Sequence, residues 1–238
     1  MFDIEQVNQN SIFIRFASSP SRSVTQKIQT CAEYIKKKLE SSLLDAIPSY
    51  TTLLIVIDTD QVSVSSVYKS LLLWKDASEI ASNESAAEHR IEIPVCYDVR
   101  VAPDLLEVSA QAALCVDELI EIHSKKTYTV FALGFLPGFA FLGELDERLI
   151  LPRRSTPRTA VSKGSVGIAG RQTGIYPMDS PGGWNVIGHT PKEILTFDAI
   201  TGDRDVSSPF AVGMEVSFRP ISFEEHHKLS QQDSGNVS

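Results

Sequence analysis

The stretch GFLPGFAFLGELDERLILPRRSTPRTAVSKGSVGIAGRQTGIYPMDSPGGWNVIGH, residues 134–189, decides how the chain folds. Twelve of the thirteen glycines fall between Gly134 and Gly213, and none precedes Gly134. An ordered glycine costs backbone entropy, so such a cluster points to turns, positive φ angles or close backbone approach. Between the glycines and prolines lie short apolar runs, which predict strands over residues 149–151, 160–161, 164–169, 174–176, 185–188, 195–197 and 214–219. The run YTVFAL, residues 128–133, is a further strand feeding the first turn. Many short strands with this punctuation read as an all-β sandwich or barrel. A second bias overlies the first. Six basic residues (Arg148, Arg153, Arg154, Arg158, Lys163, Arg171) follow Glu147 with no acidic residue before Asp179. Guanidinium forks and free backbone N–H groups both suit carboxylate or phosphate, so the region reads either as an anion site or as a tight barrel with solvated arginines.

Upstream the pattern changes. Residues 11–16 alternate as a strand, and residues 23–44 carry helical spacing through Val24, Ile28, Cys31, Ile35 and Leu39, with Lys36, Lys37 and Lys38 on the wet side. Residues 51–57 read as a buried strand, 62–73 as a second helix and 90–95 as a third strand, with 78–87 a polar linker. That order makes a small α/β sandwich of ferredoxin-like, split βαβ type. Residues 103–113 and 117–123 read as two short helices bridging to the glycine-rich part. The expected division is residues 1–88, a small α+β domain; 89–222, a β-barrel domain; and 223–238, a disordered polar tail.

The chain of 238 residues carries a net charge of −8, which argues against a nucleic-acid partner. The two bridging helices are not flanked by the basic residues that a DNA-reading pair needs. Three scattered cysteines match no metal spacing and suit buried thiols in a reducing cytoplasm. The adjacent His226 and His227 lack a ligand framework, so no metal is expected. The N-terminus shows no signal-peptide pattern, and the longest apolar runs are too short to span a membrane. His123 reads as a residue capping a helix end.

No generic catalytic motif is present. What remains is a constellation. In Pro152-Arg153-Arg154-Ser155-Thr156-Pro157-Arg158, the even spacing of an extended segment puts Arg154 and Arg158 on one side and Arg153 on the other. Gln172, Thr173 and Tyr176 sit between and after glycines, either as ligand donors or in a tight hairpin. Ser180-Pro-Gly-Gly-Trp-Asn185 is a turn in which Ser180, Gly182, Gly183 and Asn185 line a candidate site; Trp184 is either part of it or a core plug. His189 stands in a loop after Gly188, where an imidazole could move protons near neutrality.

These residues carry a resemblance. GFLPGFAFLGELD and PRRSTPRTAVSKGSVGIAGRQTGIYPMDSPGGWNVIGHTP, with upstream PVCYD and PDLLEVSAQAALCVDELIEIHSKKTYTVFALGFLPG, resemble the allophanate hydrolase subunit 1 family, which takes in 5-oxoprolinase B subunits and KipI-type kinase inhibitors. The resemblance covers roughly residues 88–222. It implies a small α+β domain before a cyclophilin-like β-barrel. It also implies ATP-coupled opening of 5-oxoproline to glutamate in a cytoplasmic complex with subunits A and C, with ATP and Mg2+ as cofactor. The alternatives are inhibition of a histidine kinase or a part in an allophanate- or urea-processing enzyme. In the enzyme reading Arg154 and Arg158 clamp the substrate carboxylate and a transferring phosphoryl group, while Gln172, Thr173, Tyr176, Ser180 and Asn185 orient the substrate. No nucleophile is singled out. Where the family usually carries Arg this chain has His189, so Lys163 is expected to supply the charge.

Overall fold

The computed structural model describes residues 2–80, 90–197 and 206–234. Contacts divide the chain into two compact units, Met1–Glu88 and His89–Ser238. The first contains β1 (Asp3–Gln6), β2 (Ser11–Arg15), α1 (Arg22–Leu39), β3 (Leu43–Ser49), β4 (Thr52–Ile57) and α2 (Val64–Ile80). Its strands form an antiparallel sheet in the order β1-β2-β4-β3. Alternation along β4 buries Leu53, Ile55 and Ile57, against which α1 lays Ile28, Cys31 and Ile35 and α2 lays Val67 and Leu71. Ser21 starts α1 by accepting the Val24 N–H at 3.2 Å, and Lys36, Lys37 and Lys38 close it where the helix dipole favours cations.

Three expectations for the first unit change. The first helix stops at Leu39, because Glu40 turns to a φ of 46° and the chain then runs back along β4 as β3. The strand over residues 90–95 does not close the sandwich. It is β5 (Arg90–Cys96), and it lies parallel to the last strand of the second unit along all seven residues. The second helix continues to Ile80, into the expected linker, whose residues 81–87 lie outside the described residues.

The second unit is a closed barrel. After β5 come α3 (Leu105–Gln111), α4 (Val116–Lys125), β6 (Thr127–Leu133), β7 (Ala140–Gly143), β8 (Arg158–Val161), β9 (Ser165–Ala169), β10 (Gln172–Ile175), β11 (Ser180–Gly182) and β12 (Asn185–His189). Then follow β13 (Thr196–Phe197), β14 (Val206–Ser207), β15 (Glu215–Ile221) and α5 (Phe223–Ser234). Seven strands run in the order β6-β15-β5-β12-β9-β10-β7, and β7 pairs back onto β6. Every pair is antiparallel except β5 with β15. The cyclophilin-like barrel expected after a small α/β domain is therefore present. Its interior holds Ile93, Val95, Val130, Leu142, Val166, Ile168, Ile187, Val216 and Phe218. A second apolar cluster of Phe139, Val161, Ala169, Tyr176, Trp184 and Val186 includes Val161 from the separate two-stranded ribbon of β8 and β11.

The C-terminal residues correct another expectation. Residues 223–234 form a helix rather than a disordered tail, because their polar sequence hides three attachments. The Arg100 guanidinium lies 3.5 Å from the centre of the Phe223 ring, Arg219 pairs with Glu225 at 3.0 Å, and His226 meets His189 at 2.8 Å. Ser222 accepts the Glu225 N–H and begins the helix. Of the cysteines, Cys31 and Cys96 are buried, as expected, but Cys115 is exposed and caps α4 in partnership with Glu118.

Candidate functional site

The site forms where α3 begins against β12. The Asp104 N–H donates to the Val186 carbonyl at 3.0 Å, and the Val186 N–H donates to Asp104 Oδ2 at 2.7 Å. This reciprocal pair fixes a carboxylate whose side chain is only 2% exposed. Arg154 Nη1 donates to Asp104 Oδ1 at 2.6 Å. Arg158 grips both oxygens, through Nη2 to Oδ1 at 2.6 Å and Nη1 to Oδ2 at 2.8 Å. Such a fork is the strong geometry for guanidinium and carboxylate, and it raises the Arg158 pKa. Arg154 Nη1 also lies 3.4 Å from Glu107 Oε2. The side chains of Arg154 and Arg158 remain 27% and 26% exposed, so each guanidinium reaches from a buried charge to solvent.

β11 and the turn that follows it close over this segment. The Arg154 N–H donates to the Gly183 carbonyl at 2.8 Å, Gly182 pairs with Arg158 in the ribbon, and Asn185 Nδ2 donates to the Pro152 carbonyl at 3.0 Å. Gly182 has to be glycine here, since a Cβ would strike the Tyr176 phenol oxygen. Burial raises the Tyr176 pKa, and the Trp184 backbone N–H and the charges of Arg153 and Arg158 oppose the rise. Trp184 is buried, with its ring 5.4 Å from Phe139, so it is a plug beneath the site rather than its lining. Ser180 Oγ and Arg154 Nε are buried polar atoms with no protein partner.

The structure thus gathers Arg154, Arg158, Tyr176, Gly182, Gly183 and Asn185 around one segment. Other candidates lie elsewhere. Thr173 is fully buried in the barrel, where Oγ1 donates to the Gly167 carbonyl at 3.1 Å and accepts from His123 Nε2 at 2.9 Å. His123 Nδ1 in turn accepts the Tyr97 hydroxyl at 2.7 Å, and the ring stacks on Phe218. Burial pushes the His123 pKa down to about 3, so this imidazole is neutral and internal rather than a helix cap. Gln172 pairs with Gly143 on one side and Ala169 on the other. Lys163 Nζ is 3.3 Å from Glu193, and His189 donates Nε2–H to the Lys163 carbonyl while His226 donates to its Nδ1. Burial, and then the charge of His226, lowers the His189 pKa.

Asp104 and Glu107 were not among the residues expected here. The only sequence signal was an acidic start to a short helix, and 50 residues separate Asp104 from Arg154. A triphosphate does not fit this site. The arginines are already half-neutralised from within, and among the described residues no glycine opens a helix to form a phosphate cradle. A separate cavity of about 460 Å3 beside α4 is lined by Glu118, Glu121, Lys125, Lys126, Asp146 and Arg148. Its charges are largely spent on Lys125–Glu121 and Arg148–Asp146 pairs. Among the described residues no helix is long and apolar enough to cross a membrane, and no cluster of three or more His, Cys, Asp or Glu could hold a metal ion.

Comparison with known proteins agrees with this architecture. Residues 2–202 match the family described as carboxyltransferase domain, subdomain C and D. The chain is 34% identical to the 5-oxoprolinase B subunit of Bacillus subtilis, over 98% of both chains. Among solved structures it is similar to TTHA0988, with a TM-score of 0.73 and 33% identity over 89% of this chain, though it spans only 39% of that one. It also shares the fold of the K. lactis urea amidolyase, with a TM-score of 0.75 at 14% identity over 97% of this chain and 15% of that chain. The chain belongs to the carboxyltransferase-domain family, subdomains C and D, that contains the 5-oxoprolinase B subunits.

Proposed function

We propose that this chain is the B component of an ATP-dependent 5-oxoprolinase, which opens the lactam of 5-oxo-L-proline to L-glutamate together with subunits A and C. The observation that carries this reading is the end-to-end 34% identity with the Bacillus subtilis protein. The geometry supports a substrate-holding role. A lactam is a weak electrophile whose ring carries one carboxylate, and Arg154 and Arg158 offer that carboxylate a positive edge already held in place by Asp104. The Tyr176 hydroxyl and the backbone of residues 182–183 then orient the ring. Activation of the carbonyl by ATP belongs in this reading to a partner subunit, and the chain works as one part of a hetero-oligomer.

The test is glutamate release from 5-oxoproline and ATP by the chain mixed with its candidate subunits A and C, omitting each in turn. Turnover should require all three and should fall at least about a hundredfold in Arg154→Ala, provided that circular dichroism shows the barrel intact. Full turnover without this chain, or an unchanged rate in a folded Arg154→Ala, would refute the reading.

A further inference from the structure

The candidate site is built on a buried negative charge, and that charge limits what it can hold. Arg154 and Arg158 bring two positive charges onto one short segment, and exposed Arg153 adds a third, which lies near enough to act on Tyr176 rather than facing away as the even spacing suggested. Asp104 neutralises from beneath, and Glu107 flanks Arg154 from outside. One net positive charge is left for a ligand. A monocarboxylate cancels it. A phosphate dianion overshoots it, beside a carboxylate that is held by four hydrogen bonds and cannot move away.

Hydrogen-bonding capacity points the same way. Both terminal nitrogens of Arg158 and Nη1 of Arg154 each give one N–H to Asp104, so the forked end of Arg158 faces the buried carboxylate. Arg154 keeps its side-on edge of Nε and Nη2, and its buried Nε has no acceptor. One such edge matches the two oxygens of a single carboxylate. A phosphate chain spreads its charge over several groups and needs several donors.

We infer that Asp104, with Glu107 outside it, is the specificity-determining element of this site, setting the arginine segment to take one carboxylate and to reject phosphate and polyphosphate. The inference rests on the anion-site reading above and deepens it. A nucleotide used in the coupled reaction must then sit on another subunit.

The experiment is calorimetric titration of the full chain with 5-oxoproline, acetate and inorganic phosphate, in wild type, Glu107→Gln and Asp104→Asn. Glu107 is 57% exposed, so its amide leaves the buried pairs intact and keeps the test usable if Asp104→Asn unfolds. Wild type should bind a carboxylate at least about tenfold more tightly than phosphate. Glu107→Gln should narrow that ratio several-fold, and folded Asp104→Asn should narrow it by about tenfold, the order expected for one added charge at a partly buried site. Acetate binding with no 5-oxoproline binding would sink the proposed substrate yet support the charge rule. Phosphate binding wild type as tightly as carboxylate, a ratio unmoved in both variants, or no anion binding at all would overturn the inference.

Discussion

Acidification probes how the barrel interior is wired. His123 is fully buried and neutral, giving its Nε2–H to Thr173 and accepting the Tyr97 hydroxyl. Its folded pKa of about 3 lies well below the ordinary 6.5. Below the ordinary value the unfolded chain therefore takes up a proton that the folded chain refuses. The stability His123 supplies is complete above that pH and drains away as pH falls toward the folded value. One such proton is worth about 1.4 kcal/mol per pH unit, so His123 alone should remove roughly 2 kcal/mol between about pH 7 and about pH 5. His189 and His226 shift in the same direction, so the wild-type slope will be steeper than this. Asp98 and Asp146, held low by their arginine neighbours, act only below the ordinary carboxylate range and leave this window to the histidines. The assay is urea unfolding in a Trp74→Phe background, where Trp184 fluorescence reports the barrel alone. The comparison is between wild-type His123 and His123→Gln, whose amide can still bridge Tyr97 and Thr173. The slope of unfolding free energy against pH should fall by up to about 1.4 kcal/mol per pH unit in the variant. Parallel curves would refute the account.

Two further outcomes are expected from packing and capping. A Cβ at Gly174 would lie 2.9 Å from the Ala140 carbonyl oxygen and 3.1 Å from the Phe139 ring, so Gly174→Ala should destabilise the barrel by about 1–3 kcal/mol in the same urea assay. Ser21→Ala removes the side-chain cap of α1 and should cost about 1 kcal/mol of the first unit's stability, measured through Trp74 in a Trp184→Phe background, while the barrel transition, read through Trp184 in the Trp74→Phe background, stays unmoved.

Local rules read some of this chain well and non-local ones hid the rest. Helical spacing through Ile28, Cys31 and Ile35 identified α1, and the glycine-punctuated apolar runs identified β9, β12 and β15. But β7 went unread, the run over residues 149–151 begins in a 3-10 turn instead of a strand, and the run over 160–161 joins the separate ribbon. The same spacing misled at Leu43, where the apolar period of a helix runs on but the backbone turns at Glu40 to give β3. The arginine pair stood out through two prolines and even spacing. Its carboxylate partner did not, because Asp104 meets Arg154 and Arg158 only after the barrel folds α3 onto β12. Thr173 drew notice for its glycine neighbours, yet its real partner is His123, again 50 residues away. Polar character hid α5, since one cation on an aromatic ring and one pair of histidines leave no periodic trace.

The position of β15 bears on how the chain folds during synthesis. This strand is the last of the barrel to be made, and it lies between β5 and β6, the first two. Until Glu215–Ile221 leaves the ribosome, β5 and β6 lack the strand that joins them and the cylinder stays open along that seam. The nascent barrel must therefore be kept from pairing with neighbouring chains while its arginine segment is already complete, and its closure awaits the release of β15.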